Sequence, residues 1–160
     1  RGGDGGAPGR AHPDAAAQRE PQALMALVAC FDIVRASVED CALLLGAAAV
    51  ADDSALRATL GAFLAQGVQV AIITLGERGC LVGTPAGIRH IPARPGPARD
   101  TTGAGDVFFS AFLVQYLRSA DVAQAGAFAA AAAAHLIGRS GGAQLARFPS
   151  RADLPARLGG

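Results

Sequence analysis

Apolar positions along this chain follow two spacings, one helical and one extended, and they predict an alternation of helices and short strands. Pro21 suits a first helical position, and 23–30 is a helix-forming run. The stretch Phe31-Asp32-Ile33-Val34-Arg35 predicts a short buried strand. Ser37 follows as an N-cap, with Asp40 three residues on, where a capping box places its acid. The next helix carries Cys41, Leu44 and Leu45 and stops at Gly46. After a loop or loose helix over 47–53, Asp53 or Ser54 caps an amphipathic helix. Leu56, Leu60, Phe63 and Leu64 share its apolar face, and Gly67 closes it. Residues 68–75 are a near-continuous apolar run with β-branched residues, the pattern of a parallel strand buried on both faces. Helix followed by buried strand, twice over, indicates an α/β sheet.

The second half adds a hairpin and two helices. Residues 74–79 turn tightly into Cys80, Leu81 and Val82; 83–87 turn again, and 88–91 make another short strand. The proline-rich connector 92–97 has no helix. The helix predicted over 107–118 is apolar over much of its surface, with Val107, Phe108, Phe109, Phe112, Leu113 and Tyr116, and should be buried. Asp121 caps the following helix, which runs through an alanine block to about Ile137; small side chains there let another surface approach closely. Glycines break the chain over 138–142, and Pro149 and Ser150 start a short final helix over 151–158. Residues 1–20 are rich in Gly, Ala and Pro without periodicity and are expected to be flexible or poorly structured.

At 160 residues the chain can bury one real core. Hydrophobic residues make up 51%, yet no apolar run reaches transmembrane length, so no membrane role is expected. The net charge is +1, with basic residues scattered rather than massed, which argues against a nucleic-acid surface. Cys30, Cys41 and Cys80 lack metal or redox spacing and read as buried free thiols of a reducing compartment; the expected location is cytoplasmic. His12, His90 and His135 form no ligand pattern.

The candidate chemistry lies in Asp100-Thr101-Thr102-Gly103-Ala104-Gly105-Asp106, a loop running straight into a helix. Gly103 and Gly105 leave the backbone bare for close approach. The first N–H groups of a helix lack carbonyl partners and carry the positive end of the dipole, which suits a phosphate. Asp106 sits in the first helical turn, placed to accept a proton from a hydroxyl.

This run, continued by Val107-Phe108-Phe109-Ser110-Ala111-Phe112-Leu113, resembles the C-terminal signature of the ribokinase-like (PfkB) carbohydrate kinases. The resemblance implies that Gly103, Ala104 and Gly105 form an anion hole for the transferring phosphoryl group and that Asp106 is the base. A second stretch is similar to the family's Asn-x-x-Glu helix: Ser37-Val38-Glu39-Asp40, with Leu44-Leu45-Gly46 at the matching distance. Ser and Asp replace Asn and Glu, and by position Asp40 takes the family's role of ordering Mg²⁺ and its waters. Thr74-Leu75-Gly76-Glu77-Arg78-Gly79 resembles the family's turn on the ATP phosphates, which implicates Thr74, Gly76 and Gly79. The resemblance further implies adenine contacts from 128–132, Ala130 among them, and a monovalent cation, K⁺, held by Asp100 and Thr102. The same residues also have plain structural readings: a helix cap for Ser37 and Asp40, an Asx turn for Asp100, a tight hairpin for 74–79, close packing for the alanines.

The resemblance covers roughly 31–158 and corresponds to the C-terminal half of such a kinase. The implied fold is a Rossmann-like three-layer α/β ribokinase-type fold, here partial. Residues 21–160 would hold the C-terminal part of the large domain with the nucleotide site, preceded by the segment 1–20. The implied activity is ATP-dependent phosphorylation of a sugar or sugar-like hydroxyl, with a small-molecule sugar as substrate. The family's sugar-binding elements and β lid belong to the N-terminal half and find no match here; a homodimer is expected only with that half. The alternative is a truncated, non-catalytic nucleotide-binding remnant of such a kinase. A dinucleotide-binding domain is disfavoured, because its Gly-rich turn would follow the first strand.

Overall fold

The structure, a computed structural model, describes residues 19–140, 148–150 and 153–154. Helix α1 (Arg19–Val28) begins two residues before Pro21 and ends two short of the expected limit. Cys30 therefore falls in the turn that follows and is exposed, unlike the buried Cys41 and Cys80. Strand β1 (Ile33–Ser37) starts at Ile33 rather than Phe31. Ser37 caps α2 (Val38–Leu45) in a closed capping box: the Asp40 N–H donates to Ser37 Oγ over 3.0 Å, and the Ser37 N–H donates to Asp40 Oδ2 over 2.9 Å. A 3₁₀ turn over Ala47–Val50 leads to α3 (Asp53–Ala65). Its cap is Asp52, one residue earlier than expected, whose Oδ1 accepts from the Ala55 N–H.

The sheet continues through β2 (Val70–Thr74), β3 (Cys80–Thr84) and β4 (Gly87–Ile91), in spatial order β1-β2-β3-β4. β1 and β2 are parallel, with Ser37 opposite Thr74; β2, β3 and β4 form an antiparallel meander. The two remaining helices are α4 (Ala104–Ser119) and α5 (Val122–Ile137), the latter capped by Asp121.

Alternation along the strands divides the core into two layers. Val70, Ile72 and Val82 pack with Phe108 and Phe112 of α4 and Ala125 and Ala129 of α5. Ala71, Ile73 and Leu81 pack on the other face with Val28, Cys41, Leu56, Leu60 and Phe63. The result is a three-layer α/β/α arrangement. β2 is buried on both faces, as its composition requires. β1 is only half-buried along its length, because in this sheet it is an edge strand, and Phe31 before it is 52% exposed. Nor is α4 buried all round: Val107, Phe108 and Phe112 face the core, while Leu117 is 81% exposed. Close packing of α5 is real, since a Cβ at Gly126 would collide with Ile91 Cδ1 of β4. The segment 1–18, the residues 141–142 of the expected glycine break and most of the final helix lie outside the described residues.

Candidate active site

The loop before α4 is fixed at both ends by the backbone. The N–H groups of Arg99 and Asp100 donate to the Ile137 carbonyl, at 2.8 and 3.3 Å, anchoring the motif to the C-terminal end of α5. Asp100 Oδ1 then accepts from the Thr102 N–H over 3.0 Å, an Asx turn. Thr101 contributes its carbonyl to the Ala104 N–H over 3.0 Å. Gly103 is the N-cap of α4 with φ +78°, a left-handed conformation that glycine adopts without cost, and no side chain caps the helix. The start of α4 is thus left without a side-chain acceptor. The helix begins three residues earlier than the periodicity indicated, so Ala104, Gly105 and Asp106 form its first turn. The Ala104 N–H is already engaged with the Thr101 carbonyl. Asp106 is exposed.

Around this turn the strand ends bring a second group of residues. Ser37 and Thr74 terminate β1 and β2 side by side. Ligands in such sheets lie beyond the carboxyl ends of the strands. Thr74 Oγ1 donates to the Ala36 carbonyl at 3.5 Å and accepts from Arg35 Nη2 at 3.3 Å. The Arg35 guanidinium also lies against Gly105: a Cβ there would collide with Nη2 and stand 2.9 Å from Cζ. Asp40 is held below the usual carboxylate range, chiefly by the Ser37 N–H, then by the Ser37 hydroxyl and the nearby Arg35 charge, against the opposing effect of desolvation. Thr74, Arg35 and Gly105 are therefore in contact, with Asp40 close enough to feel the guanidinium.

The remaining expected residues divide by position. Gly76 has φ +61° and open space where a Cβ would stand. Gly79, φ +90°, has none: a Cβ would collide with the Ile91 carbonyl oxygen and stand 2.5 Å from Ala93 N, so its bareness serves the crossing of the chain after β4. Ala130 is 7% exposed and packs in the core beside the Phe108 cluster. Arg78, at the 74–79 turn, forms an exposed ion pair with Asp53 at 3.1 Å. Among the described residues no group of three His, Cys, Asp or Glu gathers as a metal site.

Arg35, which none of the motifs indicates, joins the candidate group by contact with Thr74 and Gly105. Its signal was present: one cation in an otherwise apolar strand, two positions before the cap that ends it. A groove of about 380 Å³ runs along β1, lined by Leu24, Val28, Phe31, Leu44 and Phe109; Arg35 and Asp40 form its polar part, and none of residues 100–106 reaches it.

The sequence matches the model of the pfkB family carbohydrate kinases over residues 10–147. The chain belongs to that family. Among curated pfkB relatives, the ribokinase of Staphylococcus aureus (strain COL) is 33% identical over 107 residues, covering 67% of this chain and 34% of that protein. The fructoselysine 6-kinase of Shigella flexneri is 36% identical over 91 residues, covering 57% of this chain and 35% of that protein. Among solved structures, the ribokinase of Thermotoga maritima superposes with a TM-score of 0.69 at 27% identity, over 81% of this chain and 42% of its own. The Arabidopsis thaliana ribokinase, solved with ribose and ATP, gives a TM-score of 0.72 at 24% identity over 81% of this chain and 41% of its own, a likeness of fold. This pfkB chain spans about a third of the length of the curated relatives it matches. No helix among the described residues is long and apolar enough to cross a membrane.

Proposed function

We propose that this chain carries the nucleotide side and the base of an ATP-dependent kinase acting on a sugar or sugar-like hydroxyl. The observation that carries the reading is the start of α4: a glycine in the left-handed conformation, no side-chain cap, and an exposed carboxylate in the first turn. Family membership and relatives named as sugar kinases support it. The fit to a phosphoryl group is physical, because helix N–H groups without acceptors and the dipole both favour an anion.

Asp106 takes the proton of the attacking hydroxyl as its oxygen bonds to the γ-phosphorus and the bond to ADP breaks. The N–H groups at Gly103 and Gly105 hold the equatorial oxygens through this change, with Ala104 between them as spacer. In phosphoryl transfer, positioning and charge stabilisation account for most of the rate, so the amides matter as much as the base. Thr74 and Gly76 would line the phosphates, with Gly79 shaping their turn; Ala130, packed in the core, is left out of the adenine contact its position implied. Mg²⁺ is typically held by one or two carboxylates together with the phosphates and would supply charge neutralisation. Asp40, in α2's capping box, is the carboxylate we assign to it. Asp100 and Thr102 are the candidates for K⁺, and Asp100 already braces the loop.

Asp106→Asn is expected to lower turnover of the enzyme by about 10²–10⁴-fold while leaving Mg-ATP affinity unchanged. Full turnover in that variant would remove Asp106 as base. Binding of Mg-ATP by the wild-type chain without turnover of any sugar would instead favour a non-catalytic nucleotide-binding chain.

A further inference from the structure

Two positive features converge on residue 105. The N-terminus of α4 carries the positive end of the helix dipole, and the Arg35 guanidinium lies against the same turn. A cation beside a helix N-terminus is electrostatically unfavourable unless an anion joins them. Among the described residues no carboxylate lies within salt-bridge distance of Arg35. Its hydrogen bond goes to Thr74, a neutral hydroxyl, and its Nε is buried without a partner. Asp40, though near enough for the Arg35 charge to lower its pKa, forms no ion pair with the guanidinium; its Oδ2 accepts from the Ser37 N–H instead. A guanidinium presents five donors in a planar fork, and one bond to Thr74 leaves most of that capacity unused. Gly105 makes the arrangement possible, since any side chain there would displace the fork.

We propose that Arg35 is a phosphate-binding residue of the nucleotide site, its fork directed at the phosphoryl oxygens held by the first turn of α4. The inference rests on the kinase reading above and adds to it the partner that neutralises this charge. It also assigns the glycine at 105 a second duty, which is to leave room for the fork as well as for the phosphate. Arg suits this role because its parallel N–H groups match two oxygens of one phosphate.

The test is equilibrium dialysis of the 160-residue chain with Mg-ATP, Mg-ADP and adenosine, in wild type, Arg35→Met and Arg35→Lys. Methionine keeps much of the length and packing and removes the charge. Arg35→Met is expected to weaken Mg-ATP by about tenfold or more, as loss of a charge-assisted contact does, and to leave adenosine unchanged. Arg35→Lys should fall between, because one ammonium replaces a two-pronged grip. Unchanged Mg-ATP affinity in Arg35→Met would overturn the proposal and leave the kinase reading standing. Equal weakening of ATP and adenosine would overturn it too, by showing that Arg35 only supports the fold. If Arg35→Met does not fold, Arg35→Lys decides: wild-type Mg-ATP affinity in that variant would refute the fork. If the wild-type chain binds neither ATP nor ADP, the kinase reading fails together with this proposal.

Discussion

Gly76 and Gly79 bracket the same turn, yet the structure predicts opposite outcomes for them. At Gly79 an added Cβ would stand 2.5 Å from Ala93 N and 2.7 Å from Pro92 C, and would run into the Ile91 carbonyl. All three obstacles are backbone, so no rotamer change relieves them. The residue also sits at φ +90°, ψ −125°, a region essentially reserved for glycine. Strain of that kind costs about 1–3 kcal/mol, and overpacking a further 1–3 kcal/mol or so. Gly79→Ala should therefore cost about 2–6 kcal/mol. At Gly76, φ is +61° with nothing within 4 Å of the Cβ position, so Gly76→Ala should cost only the left-handed penalty of about 1–2 kcal/mol. For a chain of this size each kcal/mol shifts Tm by about 2–4 °C. Thermal melts followed by circular dichroism should place Gly79→Ala roughly 10 °C or more below wild type and Gly76→Ala within about 8 °C of it, with Gly79→Ala the lower. Equal melting of the two variants would refute the assignment of Gly79 to the chain crossing and of Gly76 to open space.

Other outcomes follow from burial and charge. Burial pushes the Cys41 thiol up to about 11 and the Cys80 thiol to about 12, so alkylation near neutral pH should label the exposed Cys30 first. The same shifts stabilise the fold fully below the ordinary thiol value of 9.0, and that contribution is lost as pH rises through 11 and 12; urea melts across this range should show the decline. Asp40→Ala removes half of a capping box and should cost about 0.5–2 kcal/mol at neutral pH. Because the Asp40 carboxyl is lowered from 3.8, its contribution is present above that value and lost as pH falls through the lowered one, so the gap to wild type should close in acid. Phe112→Ala, at a fully buried position on α4, should cost about 3–5 kcal/mol, whereas Leu117→Ala, on the same helix but 81% exposed, should lie within about 0.5 kcal/mol of wild type in denaturant titrations.

Much of the fold was legible because it is built from strong local signals. The Ser37 and Asp40 capping box, the buried run of β2, the Asp121 cap and the helical face of Leu56, Leu60 and Phe63 were each readable from residue type and spacing alone. The misses concern context. Phe31 is apolar but precedes an edge strand, so burial could not be inferred from its composition. Leu117 lies on the side of α4 away from the sheet, and a helix apolar all round does not say which side that is. The hairpin from β2 into β3 and the strand after it, by contrast, were readable from the tight turns at 74–79 and 83–87.

The candidate site was legible as a motif rather than as an assembly. Asp106 and the two glycines could be picked out, because few other sequences need that combination at a helix start. Arg35 could not be assigned from spacing, because it meets Gly105 across 70 residues of chain, through the parallel pairing of β1 with β2 and the packing of α4 on the sheet. The two glycines also prove different in kind. Gly103 is required by its left-handed backbone, with only Leu136 Cδ2 near its Cβ position at 3.9 Å, whereas Gly105 is required by the guanidinium beside it.

The central claim is that the first turn of α4 holds the phosphates of a nucleotide. The direct measurement is a calorimetric titration of the chain with Mg-ATP, wild type beside Gly103→Asp. Aspartate tolerates the left-handed backbone at 103 better than most residues and meets little there, so the fold should survive while a negative charge enters the anion site. The account predicts saturable heat for the wild type and none for the variant, with both giving the same circular dichroism spectrum. Equal heats from the two proteins, or no heat from the wild type, would contradict it.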